Sequence, residues 1–136
     1  MSLVSLEKAN ELSAFIKSFQ NMFVALKLRK ARGDDCFKDV FKKCRTELGL
    51  LKMRRRMSVI NEVESDFDYD LKQYDSDLST SLGCLDNLIE HSPNRLNIGL
   101  NTDILNIKAV IREHIRFLSE HGHNSFPDID LSLDTY

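Results

Sequence analysis

Seven basic side chains between positions 42 and 56 carry the chemistry that stands out first: Lys42, Lys43, Arg45, Lys52, Arg54, Arg55 and Arg56. A guanidinium offers a planar fork of donors that matches phosphate oxygens, and a helix dense in such groups binds polyanions with salt-dependent affinity. Lys52, Arg54, Arg55 and Arg56 are therefore candidate nucleic-acid contacts. No aromatic residues interleave with them for base stacking, and no recognition-helix pattern accompanies them. A solvated face, or a surface paired with an acidic helix, explains the same residues. Arg55-Arg56-Met57-Ser58 also fits a basophilic kinase site, where a phosphate at a helix start is electrostatically favoured.

The opposite charge follows directly. Residues 27–56 hold twelve basic and four acidic side chains, and residues 61–90 hold nine acidic and one basic. Glu62, Glu64, Asp66, Asp68, Asp70, Asp75 and Asp77 form a row of carboxylates that would attract a protein partner with a basic surface. A calcium loop opening at Asp66 needs glycine at its sixth position, and Leu71 stands there. The two halves of the chain either pair with each other or present patches of opposite sign to different partners.

Near the C-terminus, Arg116 and His121 stand five residues apart. The spacing resembles the R-x4–6-H motif of small all-α ribonucleases of the HEPN class, with Phe117 where that motif usually has a polar residue. The resemblance covers these two residues and implies phosphate stabilisation by Arg116 and acid–base chemistry by His121 at a dimer interface. His114, His121, His123 and Asp128 could supply metal ligands, but their spacing matches no zinc pattern. Cys36, Cys44 and Cys84 make an odd count without CxxC spacing. Cys44 lies on an apolar stripe, which favours a buried thiol in a reducing compartment.

Helices must position these groups. Leu12, Phe15, Ile16, Phe19, Met22, Phe23 and Leu26 recur at helical spacing, predicting a first helix from Leu3 or Leu6 to Arg32, closed by Gly33. Phe37, Val40, Phe41, Cys44 and Leu48 mark a second helix, started by Asp34 or Asp35, with a break expected near Gly49. Residues 52–77 read as a third, sign-changing helix capped by Ser58, with its stripe at Ile60, Val63, Phe67, Leu71 and Tyr74. That stripe continues through Leu78, Leu82, Leu85 and Ile89, either as one long helix over Ser58–His91 or, as the serines and Gly83 over 75–83 favour by weakening helix propensity, as two segments or one helix with a bend. Ser92-Pro93 ends it. After a loop over 94–101, Thr102 or Asn101 starts a last helix to about His121. Its apolar face holds Ile104, Ile107, Val110, Ile111, Ile115 and Leu118.

The expected fold is all-α, a bundle of four or five amphipathic helices over 1–122, with an extended or mobile tail over 123–136. Asp130-Leu131-Ser132-Leu133 in that tail has the acidic–apolar character of a docking peptide. The net charge of −2 predicts no partner by itself. No run of eighteen apolar residues and no signal-peptide block is present, so a cytoplasmic protein without membrane contact is expected. No cofactor motif occurs. The function expected is that of a non-enzymatic protein-binding regulator, an inhibitor, adaptor or immunity-type partner acting through a charged helical surface. A homodimer is compatible with it. The alternatives are a nucleic-acid-binding regulator using 52–56 and a HEPN-like ribonuclease using Arg116 and His121.

Overall fold

The apolar periods fold as four α-helices in the computed structural model, which describes residues 6–59, 68–120, 122 and 129–133. They are α1 (Leu6–Ala31), α2 (Lys38–Val59), α3 (Asp68–His91) and α4 (Thr102–Glu120), with one 3-10 turn at Ile98–Leu100. Among the described residues there is no strand, and no helix is long and apolar enough to cross a membrane. The α1 stripe is the deepest part of the core, with Phe15, Ile16, Phe19, Phe23 and Leu26 fully buried. Phe15 meets Phe19 edge-on at 5.2 Å between ring centroids and Tyr74 of α3 at 5.5 Å. Such T-shaped pairs add about 0.5–1.5 kcal/mol each beyond area burial.

The helix ends follow from local chemistry. At the end of α1, Gly33 takes φ 75°. Its N–H donates to the Lys30 carbonyl and that of Asp34 to the Arg29 carbonyl, both at 3.0 Å. This double closure satisfies carbonyls that have no partner within the helix. Asn101 caps α4, its Oδ1 accepting from the Asp103 and Ile104 N–H groups at 2.9 and 3.2 Å. Ser92, at φ 40°, turns the chain out of α3 ahead of Pro93.

Cross-helix pairs fix the topology. Arg29 of α1 meets Asp39 of α2, and Ser18 of α1 meets Cys44 of α2. Arg45 and Arg55 of α2 meet Asp86 and Asp75 of α3. Asp77 and Asn87 of α3 meet His114 and Asp103 of α4. Phe15 and Phe23 of α1 meet His114 and Lys108 of α4. In each case the later partner on one helix meets the earlier one on the next, so all neighbours run antiparallel. The result is an up-down-up-down bundle in which each helix packs on two neighbours.

Three expectations about helix boundaries change. α2 runs unbroken through Gly49 to Val59, because Leu48 and Leu51 continue its buried stripe. That burial outweighs the roughly 1 kcal/mol that a helical glycine costs against alanine. Residues 52–77 are consequently not one helix. Their basic end closes α2 and their acidic end opens α3, and 60–67, with the stripe positions Ile60, Val63 and Phe67, lie outside the described residues. Ser58 lies inside α2 instead of capping a new helix. α3 is one uninterrupted helix across 75–83, since Leu78 and Leu85 are fully buried there and Gly83 lies on the exposed side.

The tail docks where it is described. Leu131 and Leu133 are buried in the core and Ile129 packs against it. Lys27 Nζ donates to the Asp130 carbonyl at 2.9 Å and lies 2.6 Å from its carboxylate, and Lys30 Nζ donates to the Leu133 carbonyl. Burying a leucine contributes about 1.5–3 kcal/mol. Ordering a residue's backbone costs about 1–2 kcal/mol, which over this short segment nearly offsets two leucines and part of an isoleucine. The lysine contacts add to the leucines in holding the tail against that cost.

Candidate functional site

The basic and acidic halves of the chain meet across the α2/α3 seam. Arg45 forks onto Asp86, with Nη2 to Oδ2 at 3.4 Å; both side chains are half exposed, and Asp86 holds the Arg45 guanidinium above its ordinary range. Arg55 differs. It sits four and seven residues after the buried Leu51 and Leu48, so the helix turns it inward. Its side chain is 6% exposed, and its Nε donates to Asp75 Oδ1 at 2.9 Å. The arginine cluster read from the sequence is therefore divided: Arg55 is buried, Lys52 is half-buried, and Arg54 and Arg56 are exposed.

The acidic row is divided too. Glu62, Glu64 and Asp66 lie outside the described residues, and Asp68 and Asp70 stand in the first turn of α3. Asp75 faces Arg55. Asp77 faces α4, where its Oδ2 lies 2.8 Å from His114 Nε2 and its Oδ1 accepts from Gln73 at 3.0 Å. His114 is buried against the rings of Phe15 and Tyr74. Burial pushes the Tyr74 phenol well above its usual range, and its Oη has no hydrogen-bond partner among the described residues.

A cleft of about 540 Å³ opens beside the Asp77–His114 pair, lined by Leu12, Val110, Phe117, Gln73, Glu113 and Ala109 in addition to the pair. An Asp–His pair can activate a hydroxyl or thiol. Among the described residues, this lining carries no serine, threonine or cysteine. Both Asp77 oxygens are already engaged, so the arrangement acts as a clamp between α3 and α4. Arg116, the described member of the ribonuclease-like spacing, pairs with Glu113 and, at 3.3 Å, with Glu120 on its own helix. His121, His123 and Asp128 lie outside the described residues, and among the described residues no grouping of metal ligands occurs.

The cysteines behave as their positions dictate. Burial pushes the Cys44 thiol far up, and burial, with Asp103 nearby, pushes Cys84 up to about 11. Cys36 is exposed, and all three are free thiols.

The outward face of α2 is the most distinctive surface. Leu50, Met53 and Met57 stand at i, i+3 and i+7, exposed by 51, 60 and 65%, and share one side of the helix. Lys42, Lys43 and Arg56 are exposed around the same side, as is Arg54. Large apolar side chains in such a row are unusual on a surface that buries nothing else. No protein-family model, curated protein or solved structure matches the chain.

Two features escaped the sequence reading although a signal was present. Arg55 and His114 each fall on the buried stripe of their helix, with Leu51 and with Ile107, Ile111 and Leu118. A polar group at an apolar position demands a partner, and those partners are Asp75 and Asp77. The Leu50, Met53 and Met57 row is equally visible as a second stripe on the opposite side of α2.

Proposed function

We propose that this protein is a small binding module, a regulator that acts through a charged helical surface, and that the surface is the outward face of α2. One observation carries the reading: Leu50, Met53 and Met57 remain exposed in a row while the opposite stripe of the same helix is buried. Methionine side chains are flexible and polarizable, and suit a contact surface. The lysines and Arg56 beside them select the partner's charge and speed its approach. The partner that fits is a protein segment, helical by preference, with apolar side chains flanked by carboxylates.

Such a partner has the opposite sign to the one the acidic row suggested; of that row, Asp75 and Asp77 pair with Arg55 and His114. Nucleic acid would use the lysines and Arg56 but would leave the apolar row uncovered. A photo-activated cross-linker placed at Met53 tests the reading in cells. Cross-links to one protein, concentrated at Met53 and absent from a control position on exposed Ser79, are expected. Cross-links to nucleic acid or lipid, or none, would overturn it.

A further inference from the structure

The docked tail marks a second binding surface, independent of α2. Its groove lies between the C-terminal half of α1, α4 and the 3-10 turn. Lys27 and Lys30 hold its main-chain carbonyls. Gly99 lies so close to the Leu133 carbonyl that a Cβ there would stand 3.0 Å from its oxygen. Lys27 holds the Asp130 carboxyl below the usual carboxylate range, and Lys108 of α4 adds its charge. The groove thus reads a short extended chain in two ways. Ammonium groups grip carbonyls, which every peptide has, and pockets take alternate apolar side chains, here Ile129, Leu131 and Leu133, with a carboxylate between the first two.

We propose that this groove is a peptide-docking site that the tail keeps closed in cis. Its other occupant is an extended segment of a partner protein with apolar residues at three alternate positions and an acidic residue after the first. Charge complementarity with Lys27 and Lys108 selects the acidic residue, and the tail itself shows that this pattern fits. The cis tail lowers apparent affinity for the partner segment by the fraction of time it occupies the site.

The test is fluorescence anisotropy of a labelled peptide of residues 127–133, titrated with the full chain and its variants. L131S/L133S, which releases the chain's own tail, should bind the peptide about fivefold more tightly than wild type, or better. D130K weakens the tail through an exposed carboxylate and leaves the leucines in place, so it keeps the test valid if the double variant misfolds by circular dichroism; it should also bind more tightly than wild type. Lys27→Glu should lose the peptide and regain affinity for one carrying Lys at the Asp130 position. Equal affinity of wild type and D130K, or unchanged binding in Lys27→Glu, would overturn the proposal. So would a wild-type mass that doubles with concentration and falls back in L131S/L133S, because the occupant would then be a second copy's tail.

Discussion

Arg55→Ala should destabilise the protein far more than Arg45→Ala, although both arginines pair with an aspartate on α3. The Arg45 and Asp86 side chains are 48 and 52% exposed, and an exposed pair of this kind contributes about 0–1 kcal/mol. Arg55 is 6% exposed and Asp75 38%. Removing Arg55 takes away a hydrogen bond to a charged group, about 1.5–3 kcal/mol, together with its packed stem. Breaking a fully buried pair costs about 3–5 kcal/mol. Asp75 can rehydrate through its exposed side, so the expected loss is about 2–3 kcal/mol. For a chain of this size that lowers Tm by about 6–15 °C. Urea unfolding of the single variants and of Arg55→Ala/Asp75→Ala would give the coupling directly, expected at about 1–2 kcal/mol. Equal stabilities for the Arg45 and Arg55 variants would refute the inward placement of Arg55 and return it to the surface cluster.

Other outcomes follow from single contacts. Tyr74→Phe removes a buried hydroxyl with no partner among the described residues, so stability by chemical denaturation should stay level or rise by about 0–1 kcal/mol; a loss of 2 kcal/mol would show a bond to that oxygen. Asp77→Ala leaves the buried His114 without its carboxylate and should cost about 1–3 kcal/mol, and a neutral result would remove the clamp between α3 and α4. Asp130 has its folded-state pKa lowered chiefly by Lys27. The stabilisation it gives the docked tail is thus present above the unfolded carboxylate value of about 4 and lost as pH falls through the lowered folded value. The protection factor of the Ser132 amide, which donates to Asp130 Oδ1 at 3.0 Å, should fall only in that acid range. A thiol reagent at neutral pH should label Cys36 quickly in the native protein, and Cys44 and Cys84 only after unfolding, because burial raises both thiols; rapid labelling of all three would contradict the packing of α2 and α3.

The helical class was legible because each helix carries an apolar period strong enough to read from spacing alone. The seven-residue stripe of α1 and the Asn101 and Gly33 ends appear in the structure where the residue types place them. The boundary between α2 and α3 was not legible. Residues 48–56 combine a glycine with strong helix formers, and only the burial of Leu48 and Leu51 decides that the helix continues. The pairing of the two charged halves also needs the topology, since Arg55 and Asp75 meet only once α2 and α3 run antiparallel. The docked tail shows the same limit: Leu131 and Leu133 advertise a need for cover, but nothing local says that the core provides it or that Lys27 and Lys30 of α1 hold the segment's carbonyls.

Capture experiments in lysate test the α2 surface most directly, comparing wild type with M53E/M57E and with V24E/L28E, which changes exposed apolar residues on α1. Because all four positions are more than half exposed, each change should alter stability by no more than about 0.5 kcal/mol. The outward α2 face predicts one protein partner that survives nuclease, weakens at high salt, is retained by V24E/L28E and is lost by M53E/M57E. Recovery of the same partner by M53E/M57E, or a catch that disappears with nuclease, would contradict it.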